Sequence, residues 1–237
     1  MNLLAEIDLL TDDECDRVHH AVHELEERWI RRRAGIPFFT LGAAAYLDAT
    51  QDRFDSYVER ARIENPVLEQ SFGWLHDRLL DAVADIVAAP CTTHPRLALP
   101  GFHVFFGHPS FARPVASKHF DLQYEAIDWS GIGAPDPARQ LSITLAIRVP
   151  SGGAALKVWN VSWDDVRDAD RETRRRLAAA NRQASDHPYR PGVVAVHSGH
   201  LLHQIAPFVE PKPDDERLTM QAHALPVDDG DRWIVYW

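Results

Sequence analysis

The feature of this sequence that most constrains its fold is a change of pattern near Arg96. Before this point, apolar residues recur at three- and four-residue spacing, which is typical of amphipathic helices. After it come short segments rich in β-branched and aromatic residues, separated by glycine and proline: LALPGFHVFF, LSITLAIRVP, ALKVWNV, GVVAVH, LLHQIAP, RLTMQAHALP and RWIVYW. Strands at such intervals predict an antiparallel sandwich or barrel of jelly-roll type. The pair Gly152-Gly153 after Pro150 predicts a hairpin between two of them.

The first predicted helix begins with a capping-box pattern at Thr11 and Glu14, in which each side chain satisfies a backbone N–H at the helix start. A second helix is predicted from Asp52 to Ile63, and a third after Pro66. One polar helical segment, RETRRRLAAANRQA, interrupts the strands, and we interpret it as a surface insertion.

The length of 237 residues fits one large domain with an ample core. We predict that residues 1–91 form a helical N-terminal extension packed on a jelly-roll core over residues 92–237, together one structural domain. The predicted fold class is therefore α+β or mainly β, with a cupin-like core and N-terminal helices against it.

Composition and charge exclude several classes of protein. The formal net charge is -10, which argues against nucleic acid as a partner because nucleic-acid binders concentrate positive charge. Cys15 and Cys91 form no CxxC pair, so a reducing cytoplasm is expected rather than a disulfide framework. The N-terminus has no basic region typical of a signal peptide, and no apolar run approaches the roughly 18 residues of a membrane span. We therefore expect a soluble cytoplasmic protein whose partner is a small molecule.

Two candidate metal ligands lie in the segment SKHFDLQYEA. His119 and Asp121 are two residues apart, so on a strand both side chains point to the same face. An imidazole beside a carboxylate supplies two ligands of a 2-His-1-carboxylate centre, the arrangement that holds non-haem iron(II) and leaves positions open for co-substrate and oxygen. For this motif alone, a solvent-facing His–Asp pair is the commoner explanation.

The C-terminal stretch PGVVAVHSGHLLHQIAPF, followed by ERLTMQAHAL, resembles the Fe(II)/2-oxoglutarate-dependent oxygenase superfamily, particularly its prolyl-hydroxylase-like branch. In that family a turn glycine precedes a strand, a leucine-His stretch before a proline gives the distal iron ligand, and a later basic residue binds 2-oxoglutarate. Gly192, His203 with Pro207, and Arg217, which stands 14 positions after His203, occupy these places here. The resemblance covers roughly the last 140 residues, and the N-terminal third carries none of these motifs.

The resemblance implies a double-stranded β-helix core that holds Fe(II) through His119, Asp121 and His203. It also implies that 2-oxoglutarate and O2 are co-substrates, that Arg217 binds the far carboxylate of 2-oxoglutarate, and that succinate and CO2 are released. The protein would fix the geometry and exclude water. We expect hydroxylation of an unactivated C–H bond in a small molecule, either a free amino acid or a natural-product intermediate, because the chain is compact and lacks a basic groove.

The pattern of the last long strand supports this placement of Arg217. Arg217, Thr219, Gln221 and His223 share one face of the strand, and the residues between them are apolar. A polar inner face and an apolar outer face are what a barrel with a ligand cavity requires. Arginine offers a planar fork matched to a carboxylate, and Thr219 can donate a further hydrogen bond to the same group.

Other positions are candidates for contact with 2-oxoglutarate or substrate. Thr144 lies with Ser142 and Arg148 on the polar face of LSITLAIRV, and we expect it to help bind 2-oxoglutarate, whereas a strand-end surface role is favoured for Arg148. Three residues stay open between a pocket role and simple packing: Gln123, Tyr124 and Trp159. The apolar segment RRRAGIPFFTLGAAAYLDA either lines the substrate entrance or packs under the barrel.

Three histidines compete for the distal ligand position, because His197, His200 and His203 recur at every third residue. His203 is favoured, since it alone sits in the leucine-His stretch before Pro207. We interpret the other two as structural residues or as residues that contact the ligands, and His103 on an earlier strand as structural.

The identity of Asp121 separates branches of the resembled superfamily. Its halogenating members have glycine or alanine in place of the carboxylate ligand, so the carboxylate here favours oxygen insertion over halogenation. Desaturation or ring closure can follow from the same hydrogen abstraction. Two other functions remain open: a non-catalytic jelly-roll protein that binds a metal or a small acid, and a zinc-dependent hydrolase. The second lacks an H-E-x-x-H motif and leaves Arg217 without a role.

Overall fold

The computed structural model describes residues 4–49, 54–114 and 116–237. The α-helices in these ranges are α1 (Asp12–Glu24), α2 (Ala45–Asp48), α3 (Phe54–Val87), α4 (Trp163–Val166) and α5 (Arg171–Ala180). The β-strands are β1 (Ala5–Asp8), β2 (Ile30–Arg31), β3 (Phe38–Leu41), β4 (Cys91–Thr92), β5 (Gly101–Phe106), β6 (Leu141–Arg148), β7 (Ala155–Ser162), β8 (Ser185–Pro188), β9 (Val193–Ser198), β10 (Leu201–Ile205), β11 (Glu216–Val227) and β12 (Arg232–Tyr236). Within those ranges, no helix combines the length and the apolar character that crossing a membrane requires.

The strands form two sheets that are antiparallel except for one short pair. The larger sheet has the order β1-β9-β6-β11-β5-β3-β2; β12 also pairs with β11, and β4 runs parallel to β12. The smaller sheet has the order β10-β7-β8. Apolar residues of α1 and α3 share one buried cluster with residues of β5, β6, β9 and β11, so the helices cover the larger sheet. The expected mixture of helices and antiparallel sheet is confirmed.

Helix α1 begins where the sequence predicts. The Thr11 hydroxyl accepts a hydrogen bond from the Glu14 N–H at 3.3 Å, and the Glu14 carboxylate accepts one from the Thr11 N–H at 3.0 Å. This reciprocal pairing satisfies two N–H groups that the first turn leaves without helical partners. The apolar stripe that follows is buried at Cys15, Val18 and Val22, which fixes α1 against the sheet.

The prediction of two helices separated near Pro66 is wrong, because α3 runs without interruption through that residue. Pro66 lacks the N–H of one helical hydrogen bond, which costs about 3 kcal/mol in a helix interior. The buried stripe nevertheless stays in phase on both sides, from Ala61 to Leu68 and on to Phe72. Burial of this stripe on the sheet outweighs the local loss. The predicted start at Asp52 lies outside the described residues.

The N-terminal third is not purely helical. Strand β1 pairs with β9, with Ala5 opposite Val196, and β3 pairs with β5, with Thr40 opposite His103. Strands of two to four residues are too short to show a period of two, and distant partners decide their pairing. The predicted boundary at residue 92 stays a prediction, but the larger sheet includes strands from both sides of it.

The predicted hairpin at Gly152-Gly153 is a turn between sheets. The Gly153 N–H donates to the Pro150 carbonyl at 2.7 Å, and Gly153 has φ of +86°, a conformation that favours glycine. Strand β6 before the turn pairs with β9 and β11, whereas β7 after it pairs with β8 and β10. The chain therefore crosses from the larger sheet to the smaller one here.

His76 is a buried histidine on α3, remote in sequence from the candidate ligands. Its Nε2 donates to the Pro100 carbonyl at 3.0 Å, and its Nδ1 is buried without a hydrogen-bond partner in the described structure. Burial lowers the pKa of His76 to about 4. The folded protein therefore holds this ring neutral at pH values where an exposed imidazole would take up a proton.

We expect His76→Gln to reduce the dependence of stability on pH. The unfolded chain binds the proton near an ordinary pKa of about 6.5, so stability from neutral His76 is present above that pH and is lost as the pH falls towards 4. Between pH 7 and pH 5 this contribution is at most about 2 kcal/mol. Urea unfolding of both proteins at the two pH values measures the difference. Equal pH slopes for the two proteins would contradict this account of His76.

Candidate metal centre

His119, Asp121 and His203 converge between the two sheets. His203 lies on β10, and the extended segment at His119 pairs with it through two backbone hydrogen bonds of 3.0 Å, one in each direction. The Asp121 N–H donates to the Gly199 carbonyl at 2.8 Å. This bond holds Asp121 against the turn between β9 and β10. The sequence brings both ligands of the H-x-D motif to one face as expected, although the segment is an isolated bridge rather than a strand.

The three side chains present their ligand atoms to one point. Nε2 of His203 lies 3.3 Å from Oδ2 of Asp121, and Nε2 of His119 lies 3.7 Å from Oδ1. All three ligand atoms lie within 4.8 Å of one another, a spacing that one ion can bridge. Two imidazoles and one carboxylate are the donor set of a 2-His-1-carboxylate iron(II) site.

Backbone carbonyls fix the orientation of both imidazoles. Nδ1 of His119 donates to the Ser117 carbonyl and Nδ1 of His203 donates to the Leu201 carbonyl, each at 2.8 Å. Because a carbonyl only accepts, each Nδ1 carries a proton, and Nε2 is the nitrogen that faces Asp121 and is left to bind a metal once it has lost its own proton. Metal-binding histidines commonly use such a second hydrogen bond to set the tautomer and the ring plane.

The carboxylate of Asp121 is kept ionised by its surroundings. Burial alone would raise the pKa of Asp121, but the charge and hydrogen bond of His203, followed by the charges of His223 and His119, hold it well below its usual value. The Ser142 hydroxyl also donates to Oδ2 at 2.5 Å. The pKa of His203 is shifted the other way: burial lowers it, and the adjacent Asp121 more than offsets this effect. Asp121 is therefore an ionised carboxylate, the form that binds a cation.

The other two histidines of the series have different contacts. Nε2 of His200 lies 2.9 Å from the hydroxyl of Tyr124, away from Asp121. His197 hydrogen-bonds through Nδ1 to the Ser198 carbonyl, and its ring packs 4.6 Å from that of His203. Of the three, His203 alone joins the ligand cluster found among the described residues.

A cavity of about 750 Å³ opens at this cluster and receives walls from both sheets. Phe38, Phe105 and Phe111 give it an aromatic side, whereas Gln123 and His103 add polar groups. The sequence leaves two positions open for the segment RRRAGIPFFTLGAAAYLDA, at the substrate entrance or packed under the barrel. The segment contributes several lining residues: Arg32, Arg33, Ile36, Phe38, Tyr46 and Leu47. This segment therefore lines the cavity.

Arg217 lies directly behind the cavity wall and is 1% exposed. Its guanidinium stacks on the ring of Phe105 at 4.2 Å and near that of Phe208 at 5.0 Å. Nη1 donates to the Ala206 carbonyl at 3.2 Å, but Nε and Nη2 are buried with no hydrogen-bond partner in the described structure. Burial lowers the pKa of Arg217 to about 10, so the group stays charged near neutral pH. Two unsatisfied donors on a buried cation are a costly arrangement unless a ligand completes them.

The two threonines predicted to assist Arg217 form one network. Gln221 joins them, since its Oε1 accepts from the Thr144 hydroxyl at 3.0 Å and its Nε2 donates to the Thr219 hydroxyl at 2.9 Å. Thr144 lines the cavity, whereas Thr219 lies behind Gln221 and does not reach the wall. Tyr189, also on the wall, hydrogen-bonds to Thr144 and lies close enough to Arg217 for the two to interact electrostatically.

The residues left open at the sequence level divide into two groups. Gln123 lines the cavity, and Tyr124 packs in a second apolar cluster and contacts His200. Trp159 lies away from the cavity. The Lys118 ammonium lies over the Trp159 ring, 4.1 Å from the ring centre. Arg148 ends β6 and pairs with Asp16 at 2.7 Å on the surface, as its strand-end position favoured.

Sequence reasoning missed two polar features of the site. Ser142 was placed on the polar face of its strand, but its bond to Asp121 follows from a contact between distant segments that alternation alone does not show. His103 was interpreted as structural, yet it lines the cavity, with Nε2 2.6 Å from the hydroxyl of Tyr46 and Nδ1 without a partner in the described structure. Burial, followed by the charge of Arg217, lowers the pKa of His103 to about 3, so its ring is neutral.

No family model matches the sequence, and no curated protein does either. Solved structures do match. The non-haem α-ketoglutarate-dependent epimerase SnoN from nogalamycin biosynthesis superposes with a TM-score of 0.52 at 13% identity, over 93% of this chain and 78% of that one. AviO1 from Streptomyces viridochromogenes Tue57 gives 0.50 at 15% identity, over 93% and 86%. EctD from S. alaskensis, solved with 2-oxoglutarate and 5-hydroxyectoine, gives 0.50 at 15% identity, over 92% and 71%.

The chain has the fold of 2-oxoglutarate-dependent oxygenases. At 13–15% identity the likeness is one of fold, and it extends over more than nine tenths of this chain, including the N-terminal third. The sequence resemblance was confined to roughly the last 140 residues. At this coverage the shared fold extends beyond the last 140 residues into the N-terminal third.

We expect His203→Ala to abolish tight iron(II) binding by this oxygenase fold. Loss of one of three ligands should weaken the complex by more than the roughly 10–100-fold typical of losing an outer hydrogen-bond partner. His200→Ala is the matched control, because it removes the same side chain three positions away without touching the cluster. Anaerobic iron(II) titration against a chromophoric chelator compares the three proteins. Equal losses in both variants, or none in His203→Ala, would contradict the assignment of His203.

Proposed function

We propose that this chain is an Fe(II)- and 2-oxoglutarate-dependent oxygenase that hydroxylates an unactivated C–H bond of a small molecule. The observation that carries the proposal is the cluster of His119, Asp121 and His203 at a cavity of about 750 Å³. The fold shared with SnoN and EctD supports it. The substrate class that we favour is a free amino acid or a natural-product intermediate.

We further propose that the core is a double-stranded β-helix. The support is the path of the chain, which alternates between the sheets: β5 and β6 lie in the larger one, β7 and β8 in the smaller, β9 in the larger, β10 in the smaller and β11 in the larger. The bridge between His119 and His203 adds a further crossing to the smaller sheet before β6. Strands wound in this order place residues of both sheets around one interior space.

Iron(II) fits the donor set, and we assign His119, Asp121 and His203 as its ligands. When bound, iron(II) supplies the chemistry that couples O2 and the decarboxylation of 2-oxoglutarate to oxidation of a substrate C–H bond, with succinate and CO2 as products. The protein contributes orientation: the Ser117 and Leu201 carbonyls hold both imidazoles with Nε2 inward. Ser142 holds the Asp121 carboxylate in place through one oxygen. A set of two imidazoles and one carboxylate would leave positions at the metal for 2-oxoglutarate and O2.

We assign Arg217 to the far carboxylate of 2-oxoglutarate. Its unsatisfied donors, Nε and Nη2, lie on the same edge of the guanidinium, and this edge forms two parallel hydrogen bonds with a carboxylate. Thr144 on the cavity wall is assigned a supporting contact, and Thr219 positions Gln221, which also lines the cavity. Because the guanidinium of Arg217 stacks on Phe105, behind the cavity wall, the carboxylate reaches it only if the Phe105 ring or the Tyr189 side chain, which interacts electrostatically with Arg217, moves aside.

The cavity wall supports a small, partly apolar substrate. Three phenylalanines on one side can bury the apolar part of a substrate, and Gln123 and His103 can hydrogen-bond to its polar groups. Among structures of this fold, EctD was solved with 5-hydroxyectoine and SnoN with nogalamycin RO, so small molecules occupy those enzymes. A cytoplasmic location remains our expectation, because Cys15 and Cys91 are free thiols.

The first test is 2-oxoglutarate turnover screened against amino acids and related metabolites with iron(II) and O2. We expect substrate-dependent succinate, and we expect Arg217→Ala to raise the 2-oxoglutarate concentration needed for half-maximal rate about 10–100-fold, since a buried charge-assisted pair is lost. Arg148→Ala is the matched control, because that arginine pairs with Asp16 on the surface. Unchanged 2-oxoglutarate dependence in Arg217→Ala would move the anchoring role to another residue. Binding of 2-oxoglutarate without succinate from any compound would favour the non-catalytic alternative.

The second test concerns Asp121 and the outcome of the reaction. Asp121→Gly removes one negative charge from the ligand set and opens the position that chloride takes in halogenating relatives of this fold. We expect the variant to lose hydroxylation almost entirely and to bind iron(II) more weakly, whereas the unaltered protein with chloride present should give only oxygenated product. Mass analysis of the products measures hydroxylation by the variant and the product of the unaltered protein. Full hydroxylation by Asp121→Gly, or a chlorinated product from the unaltered protein, would show that Asp121 does not ligate the metal.

A further inference from the structure

A second group of metal-ligand side chains joins helix α1 to the start of strand β11. His19 and His23 lie one turn apart on α1, and Glu216 is the first residue of β11. Glu216 stands next to Arg217, and neighbouring side chains on a strand point to opposite faces. The group is therefore on the outer face of the larger sheet, whereas Arg217 faces the interior.

The geometry of this group is that of a tridentate site. Nε2 of His19 lies 2.8 Å from one oxygen of Glu216, and Nε2 of His23 lies 2.9 Å from the other. The two imidazole rings are 4.4 Å apart, and all three ligand atoms lie within 4.8 Å of one another. Both histidines use Nε2, and the carboxylate lies between them.

The group is held by rigid elements and lies in a partly dry setting. Helix α1 is capped and buried along its apolar stripe, and β11 pairs on both sides in the larger sheet. The ring of His23 packs edge-on to Trp29 at 5.1 Å, with Phe106 at 6.1 Å. The side chain of Glu216 is 14% exposed, and among the described residues it has no lysine or arginine partner. A nearly buried carboxylate facing two imidazoles is a natural cation ligand.

We propose that His19, His23 and Glu216 form a second metal site, which binds a divalent ion of the zinc class. Two imidazoles and one carboxylate are donors that Zn²⁺ accepts at about 2.0–2.2 Å, with water as the fourth ligand. The histidine side chains are 27% and 31% exposed, which leaves room for that water. Binding replaces the two hydrogen bonds to Glu216 by coordination, and the ion links α1 to β11. Calcium and magnesium are disfavoured, since they prefer oxygen ligands.

Metal stoichiometry of the full chain tests this site. The chain is stripped with a chelator and dialysed against micromolar Zn²⁺, and bound zinc is measured by mass spectrometry. Because Zn²⁺ also suits the His119, Asp121 and His203 cluster, we expect two ions in the unaltered protein and one in His203→Ala. His19→Ala should also bind one, and the variant that combines it with His203→Ala should bind none.

Matched variants keep the test independent of folding and of the proposed function. His20→Ala removes an exposed histidine of the same helix that pairs with Glu24, and it should keep both ions. His23→Gln retains a polar side chain of similar size and should lose one ion with an unchanged circular dichroism spectrum. If the proposed iron site is wrong, the unaltered protein still binds one ion, which His19→Ala removes and His203→Ala does not. Retention of every ion by His19→Ala and His23→Gln would overturn the second site.

Discussion

The candidate site depends on the pairing of the His119 segment with β10. Two backbone hydrogen bonds of 3.0 Å hold His119 opposite His203, and the Asp121 N–H bond to Gly199 fixes the next residues of the motif. These contacts join a segment before β6 to a strand after β9, so they form only when both sheets are assembled. An H-x-D motif in a free loop would be a surface pair, whereas these contacts bring His119 and Asp121 together with His203 in one candidate ligand cluster. Ser142 reaches Asp121 from the larger sheet and completes the link between the sheets.

The interior keeps charged and polar groups that a purely structural core would avoid. Asp121 lies among histidines with its pKa well below the usual value, and Arg217 is buried with two unsatisfied donors. The histidines and Ser142 stabilise the Asp121 carboxylate, whereas the unsatisfied donors of buried Arg217 destabilise the fold until they are paired. A diacid that chelates a cation at Asp121 with one end would bring a carboxylate to Arg217 with the other. The arrangement is therefore understandable as a site that its ligands complete.

Much of this could be predicted from local patterns. The switch from helical to strand periodicity near Arg96 predicts the strands of the C-terminal part, and alternation predicts that Thr144 and Arg217 lie on interior faces. What failed depends on contacts between distant segments: the uninterrupted α3 through Pro66, the short strands of the N-terminal third, and the bond from Ser142 to Asp121. Burial of the apolar stripe against the sheet keeps α3 helical through Pro66. The short strands and the Ser142–Asp121 bond depend on partners from other segments of the chain. The group around Glu216 carried a sequence signal, two histidines at helical spacing, but its carboxylate comes from nearly two hundred residues away.

The most direct test of the central claim is a crystal structure of the protein prepared without oxygen, with iron(II) and 2-oxoglutarate, using anomalous scattering to locate iron. We predict an iron peak in contact with Nε2 of His119, Nε2 of His203 and a carboxylate oxygen of Asp121. The keto acid end of 2-oxoglutarate should chelate that iron, and its far carboxylate should lie on Nε and Nη2 of Arg217. No iron between the three side chains, or a 2-oxoglutarate carboxylate bound away from Arg217, would contradict the account.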